Sequence, residues 1–193
     1  MEVDNKIPEV LKYADGFCDE DLNPLPRAVI RPGAAILLDG DWLFSFDNIN
    51  CGLTDAWYNG HEYTKTAHWP GNVEAYMAAN NPTEQWQSNV VAWYERTFPL
   101  PEQSEPLKKT HNMLQLTFGA CGYKTQVWLN GHLLSTIEGE AEHIGEYTSF
   151  SYELHDDLLQ PVNRLTVRIA ADKNADITRG KQESYVYKRG GIW

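Results

Sequence analysis

The sequence predicts an all-β fold, a jelly-roll β-sandwich of about eight or nine strands. Three observations favour this fold class. Short segments alternate apolar and polar residues with period two, clusters of glycine, proline and asparagine separate them, and helix-like patterns are confined to two short stretches. Because period two with one polar face is typical of antiparallel strands packed on a second sheet, we expect two stacked antiparallel sheets.

The chain divides into a lead-in segment, residues 1–34, and a domain, residues 35–193. The lead-in is punctuated by prolines and carries one weak helical pattern, IPEVLKYADGF, so we interpret it as a strap across the domain surface. Three later segments each place three apolar side chains on one face of a strand: Trp42, Phe44 and Phe46; Leu114, Leu116 and Phe118; and Leu165, Val167 and Ile169.

Between residues 47 and 90 the alternation breaks down into a segment rich in glycine, proline, asparagine and aromatic residues. A loop of this length in a compact domain is more often functional than a plain connection. The strand pattern resumes at VVAWYERTFPLP, where Trp93 is expected in the core and two prolines end the segment.

Two local signals follow in the second half of the chain. KTQVWLNGHLLSTIEG, residues 124–139, predicts a hairpin whose Asn130-Gly131 pair suits a two-residue type I′ turn, and this architectural explanation outweighs a binding role. HDDLLQP predicts a single helical turn, with Asp156 as its cap and Pro161 as its stop.

Composition excludes several classes of partner. The 193 residues include 27 acidic and 16 basic ones, a formal charge of −11, without a basic run that would neutralise phosphates. No apolar stretch is long enough to span a membrane, and the first residues resemble no signal peptide. We therefore expect a soluble chain that binds neither nucleic acid nor membrane.

Metal and disulfide chemistry have little support in the sequence. Cys18, Cys51 and Cys121 are an odd number at wide spacings, so at least one thiol should be free. The histidines lack zinc-site spacing, and DKNADITRG has Ile177 where a calcium loop requires glycine. We predict no metal and no cofactor.

Seven segments in order give the sequence a family resemblance: LDGDWLFSFD (38–47), WPGNVE (69–74), AWYERTFPLP (92–101), LQLTFGACGYKTQVWLNGHLL (114–134), GEYTSFSYEL (145–154), NRLTVRIA (163–170) and GGIW (190–193). Together they resemble the N-terminal sugar-binding domain of glycoside hydrolase family 2, the β-galactosidases, β-glucuronidases and β-mannosidases. The resemblance implies a galactose-binding-like jelly roll, carbohydrate as the ligand, and downstream domains of the same parent chain as partners.

In this family the catalytic residues lie on a downstream (β/α)8 barrel, where an acid and a nucleophilic carboxylate stand about 5 Å apart. The resemblance therefore implies that this chain is an inactive fragment of a retaining exo-β-glycosidase and contains no catalytic residue. Two alternatives stay open: an autonomous carbohydrate-binding module, and a structural or adhesion sandwich. The compartment is also open, with periplasm or secretion favoured slightly over cytoplasm for a bacterial glycan-degrading parent.

The resemblance also indicates candidate substrate-binding residues. Family members carry an active-site aspartate a few residues before the Gly-Ile pair, and here that position holds Tyr185, with Glu183 and Tyr187 beside it. A phenol cannot supply the paired charged acceptors of a carboxylate, so this departure leaves the role of the segment open. Trp69 and Trp86, in the irregular segment, are candidates for rings that stack on a sugar. Arg96 matches a family arginine, and we interpret it as a hydrogen-bonding brace between segments.

Overall fold

In the computed structural model, residues 36–69, 71–72, 90–100, 114–171 and 191–192 are described. They contain strands and two short 3-10 turns, Trp57–Asn59 and Asp156–Leu158, and no α-helix. The strands are β1 (Gly40–Phe46), β2 (Lys65–Trp69), β3 (Gly71–Asn72), β4 (Val90–Pro99), β5 (Leu114–Phe118), β6 (Cys121–Gly122), β7 (Lys124–Leu129), β8 (His132–Leu133), β9 (His143–Ile144), β10 (Phe150–Leu154), β11 (Val162–Ala171) and β12 (Gly191–Ile192). The predicted lead-in, residues 1–34, lies outside the described residues.

The strands form one large sheet and two small ones, all antiparallel. The large sheet has seven strands in the order β2-β1-β4-β11-β7-β8, with β9 also pairing with β7. Strands β10 and β5 form a second sheet, and β3, β12 and β6 form a third. The long pairing of β4 with β11, from Val90↔Ala171 to Pro99↔Val162, fixes the centre of the large sheet.

The main hydrophobic core packs one face of the seven-stranded sheet, here called its inner face, against strands of the small sheets. Phe44, Tyr94 and Val167 of the large sheet belong to the same buried cluster as Phe118 and Tyr152 of the opposite sheet. All nine apolar residues that the alternation places on one face belong to this cluster or pack against it. The all-β sandwich is thus confirmed, because period two puts every second side chain of a strand on the same face.

The hairpin between β7 and β8 forms as predicted. Leu129 pairs with His132, and the intervening Asn130 and Gly131 have φ angles of 52° and 88°, as a type I′ turn requires. The Asn130 side chain is engaged on both sides, since its Nδ2 donates to Leu158 O at 2.7 Å and its Oδ1 accepts from Arg164 N at 2.8 Å. The turn residue therefore fastens the hairpin to its neighbours.

Several local expectations were wrong. Residues 65–69, expected to be irregular, form β2, which pairs with β1 from Phe44↔Lys65 to Gly40↔Trp69. The turn at residues 156–158 is a 3-10 turn that begins after His155 and has no side-chain cap, so Asp156 lies inside it. The outer face of the large sheet, predicted to be polar, is also buried in the middle strands. Trp93 is 0% exposed, as a core residue should be, but it belongs to a second cluster on the side of the sheet opposite the main core.

Candidate functional site

Most of the predicted sugar-binding residues lie outside the described part of the chain. The sugar-binding role therefore stays a prediction for four residues: Trp86, Glu183, Tyr185 and Tyr187. Trp69 is described, and it ends β2 with its side chain in the core, 1% exposed, with its ring edge-on to Tyr94 at 5.1 Å. Trp69, a candidate for a ring that stacks on a sugar, is therefore a core residue, because pairing of β2 with β1 turns this side chain inward.

A different group of side chains lies on the outer face of the seven-stranded sheet. The loop between β1 and β2, residues 47–64 and here called the covering loop, lies over this face. Val91, Trp93 and Trp128 of the sheet form a buried cluster, against which Trp57, Tyr58 and Tyr63 of the loop pack. The loop therefore buries apolar surface that the sequence pattern leaves exposed.

Asp47 anchors the start of the covering loop. Its carboxylate, 2% exposed, accepts hydrogen bonds from the backbone N–H groups of Cys51 and Gly52, both at 2.8 Å, and from Trp93 Nε1 at 3.1 Å. A Cβ at position 52 would lie 2.5 Å from Trp93 Nε1, so only glycine permits this close approach. The three donors satisfy a buried carboxylate that would otherwise be costly to desolvate.

Aromatic rings connect the covering loop to the sheet in a continuous chain. Tyr58 stacks on Trp128 at 5.4 Å between ring centroids, and Trp128 stacks on Trp93 at 5.2 Å. Trp93 contacts Trp57 at 5.9 Å, and Trp57 stacks on His61 at 3.6 Å with the planes 13° apart. The chain ends edge-on at Tyr63, 4.9 Å from His61. These pairs add to the stabilisation that burial of the rings provides.

Two arginines of β11 hold the covering loop from below. Arg168, 6% exposed, donates to Asn50 Oδ1 at 2.9 Å and to Gln126 Oε1 at 3.0 Å. Arg164 donates from Nη2 to the carbonyl oxygen of Tyr58 at 3.5 Å. Arg96, by contrast, donates to Asp41 O at 3.3 Å, which is the bracing role expected of it.

Glu95 is a buried acid beneath the same loop. Burial raises the pKa of its carboxyl, while Arg164 and the Thr166 hydroxyl act in the opposite direction. Its Oε2 lies 3.9 Å from Arg164 Nε, too far for a direct hydrogen bond. The phenol of Tyr63 lies near both charged groups, and burial raises its pKa as well.

The titratable groups of the covering loop take part in its packing and hydrogen bonding. A hydrogen bond to Asp55 is the main cause that raises the pKa of the Cys51 thiol to about 11, so little thiolate forms. Burial lowers the pKa of His61, whose ring is held between Trp57 and Tyr63. The carboxylate of Asp47 accepts hydrogen bonds from three donors. Cys51, His61 and Asp47 therefore stabilise the conformation of the covering loop.

Within the described ranges, no three His, Cys, Asp or Glu side chains are grouped closely enough to hold a metal ion. Cys51 and Cys121 are free thiols, in agreement with the prediction that at least one thiol is free. The described residues include no helix that is long and apolar enough to cross a membrane.

Comparison with known proteins agrees with this architecture. The family model described as the β-galactosidase second all-beta domain matches residues 52–175, which include most of the covering loop and strands β2 to β11. The chain belongs to this family. The resemblance to a glycoside hydrolase family 2 β-sandwich domain is thereby confirmed. No curated protein sequence matches the chain.

Solved structures show the same fold. The β-glucuronidase of an uncultured Clostridium sp. superposes with a TM-score of 0.61 and 19% identity, covering 80% of this chain and 26% of its own. The Ruminococcus gnavus β-glucuronidase has a TM-score of 0.54 and 24% identity, covering 68% and 20%. Its complex with D-glucaro-d-lactam has a TM-score of 0.57 and 23% identity, covering 71% and 22%. The chain thus spans about a fifth to a quarter of the length of these enzymes.

Proposed function

We propose that this chain is an accessory β-sandwich domain of a retaining exo-β-glycosidase, of the β-galactosidase or β-glucuronidase kind. The acid and the nucleophile of the reaction lie on a barrel encoded downstream, and this domain supports the barrel and lends residues to the rim of its pocket. The family match over residues 52–175 supports the enzyme class, and the similar β-glucuronidase structures support the fold of such a domain. The family model is described as a second all-beta domain, which does not give the position of the domain in its parent. That the domain lies at the N-terminus of the parent is therefore part of the proposal.

One observation carries the proposal: the aromatic rings and acids of the covering loop are used to build the domain. Tyr58 and Trp57 pack on buried tryptophans, and Asp47 is saturated by donors from the loop and from Trp93. A glycosidase needs one carboxyl group free to protonate a leaving oxygen and a second to attack. Groups engaged in this way favour a supporting role over independent catalysis.

Hydrolysis by separate pieces of the parent tests this proposal. We expect the isolated chain to release no chromophore from nitrophenyl β-galactoside or β-glucuronide, and a parent that includes the downstream barrel to hydrolyse one of them. Hydrolysis by the isolated chain, abolished in Glu95→Gln, would place the acid within these residues and overturn the proposal. A parent without a barrel, or one inactive on all β-glycosides, would also contradict it.

A second function, an autonomous carbohydrate-binding module, is favoured by two partly exposed rings of the covering loop. Trp57 and His61 stack at 3.6 Å and are both only partly buried, so part of the stacked pair is open to solvent. A pyranose binds such rings through its apolar C–H face. Titration calorimetry with galactose, glucuronate and polysaccharides separates the two functions. The module predicts saturable binding with Kd between about 1 μM and 1 mM, lost in Trp57→Ala and kept in Trp57→Phe, whereas the accessory domain predicts none.

The segment near the Gly-Ile pair is tested in the active parent. If Tyr185 touches substrate there, Tyr185→Ala lowers kcat/KM about tenfold or more, while Tyr185→Phe keeps most of the activity if stacking is its role. Glu183→Gln measures the alternative acceptor in the same assay. Unchanged turnover in Tyr185→Ala removes this residue from the site without affecting the assignment of the domain.

A further inference from the structure

Four polar groups meet in one place beneath the covering loop, here called the buried polar chamber: the Tyr63 hydroxyl, Glu95 Oε2, Arg164 Nε and the Thr166 hydroxyl. Each of these atoms is buried, and none makes a hydrogen bond of ordinary geometry to a protein group of the described residues, although the Thr166 hydroxyl lies close enough to the Glu95 carboxyl to lower its pKa. Glu95 and Thr166 face each other across the pairing of β4 with β11, and Tyr63 interacts electrostatically with both Glu95 and Arg164. The chamber thus brings the loop and two strands together.

Buried polar atoms in native proteins are almost always hydrogen-bonded, to protein or to ordered water. Leaving a donor or acceptor buried without a partner is unfavourable, and four such atoms in one chamber would weaken the whole domain. Glu95 is 9% exposed and Thr166 is 0% exposed, so bulk solvent does not satisfy them. The chamber therefore requires an internal guest that both donates and accepts hydrogen bonds.

The charges of the chamber decide which guest it takes. A cation would lie against the guanidinium of Arg164, and an anion would lie against the carboxylate of Glu95. Both are disfavoured at such short range in a site of low dielectric constant. A sugar hydroxyl is disfavoured by burial, because all four atoms are buried and Tyr63 of the covering loop packs against the outer face of the sheet. A small neutral molecule with both donor and acceptor capacity remains.

We propose that the buried polar chamber binds ordered water, one or two molecules that join Tyr63 of the covering loop to Glu95, Arg164 and Thr166 of the sheet. The 3.9 Å between Arg164 Nε and Glu95 Oε2 fits this role. Two groups each about 2.8 Å from the same water lie roughly 3.9 to 4.6 Å apart for angles at the water between about 90° and the tetrahedral value, so the observed separation is at the short end of this range. A buried water commonly makes about three hydrogen bonds, and the chamber offers four groups.

A crystal structure of this chain at a resolution that shows ordered solvent tests the proposal directly. We expect a solvent peak within about 2.7 to 3.2 Å of at least three of the four atoms. A direct hydrogen bond between Arg164 Nε and Glu95 Oε2, with no peak between them, would overturn the proposal. A peak with the shorter coordination distances of a cation, together with a Tm that rises in sodium or potassium chloride but not in choline chloride, would also overturn it.

Substitution gives an independent solution test. Thr166→Val keeps the shape of the side chain and removes one partner of the water, so we expect Tm to fall by about 2 to 4 °C or more. Thr66→Val, at an exposed position on β2, is the matched control and should leave Tm within about 1 °C. A Thr166→Val variant as stable as the native chain would show a dry chamber and contradict the proposal.

The double variant Tyr63→Phe/Thr166→Val separates a shared guest from two independent effects. If one water links the two hydroxyls, losing the first partner already weakens its binding, so the double variant should lose less Tm than the sum of the single variants. Additive losses would mean that the two hydroxyls bind no common molecule, and the proposal of a shared water would fail.

Discussion

The two faces of the seven-stranded sheet are built on different principles. The inner face is a continuous apolar layer in which Phe44, Val167 and Leu129 are all 0% exposed. The outer face is also buried in the middle strands, but there Trp93 and Trp128 alternate with Glu95, Thr166 and Arg168, and a loop covers them. A strand pattern therefore reports reliably only on the face that packs against another sheet. On the face covered by a loop, polar side chains are buried as well, and hydrogen bonds to the loop replace the water that these polar groups lose.

The comparison predicts that the inner face tolerates truncation least. Phe44→Ala removes a fully buried ring that packs on Phe46 and Tyr94, and we expect a loss of about 3 to 5 kcal/mol in the free energy of unfolding. Leu43→Ala, on the outer face of the same strand and 43% exposed, is the matched control, with an expected loss below about 1 kcal/mol. Urea denaturation followed by fluorescence measures both. Equal losses would mean that β1 buries both of its faces alike.

The anchor of the covering loop gives the next largest effect. Asp47→Ala leaves two backbone N–H groups and the Trp93 indole N–H without their acceptor, and we expect a loss of about 2 to 4 kcal/mol. Asp41→Ala is the matched control, because Asp41 pairs with His68 at a site where both side chains are about three-quarters exposed. An Asp47→Ala variant that unfolds at the native urea concentration would show that the loop does not contribute to the cooperative unit.

The smallest effect concerns the pH dependence of stability. Because burial raises the pKa of Glu95, the native state holds this proton at pH values where the unfolded chain, with an ordinary pKa of 4.5, has released it. The contribution of Glu95 to stability is therefore fully present below about pH 4.5 and is lost as pH rises through the folded-state pKa. Glu95→Gln should remove this decline.

The measurement for Glu95 is the difference in unfolding free energy between native chain and variant across pH 4 to 8, a range that brackets its ordinary pKa. Relative to native, Glu95→Gln should gain stability as pH rises. Glu138→Gln, at an exposed position, serves as the control and should follow the native profile. A Glu95→Gln variant that instead loses stability with rising pH would show that the ionised carboxylate is the stabilising form.

The local alternation of apolar and polar residues was sufficient to predict which side chains lie on much of the inner face. The period of Trp42, Phe44 and Phe46 depends only on the geometry of a strand, so these residues could be assigned to one face before any partner was known. The Asn130-Gly131 turn was equally predictable, because few residue pairs tolerate two consecutive positive φ angles. By contrast, β2 has only Ala67 and Trp69 as apolar residues, and its strand conformation comes from pairing with β1.

The amino-acid sequence by itself determined the all-β class, the inner face and the hairpin, because each follows from interactions between residues close together in the chain. The covering loop and its buried polar chamber were decided only by the tertiary structure. Asp47 and Trp93 are 46 residues apart, and Tyr58 and Arg164 are 106 apart. No short-range periodicity encodes such contacts, since they exist only after the sheet has brought the two segments together.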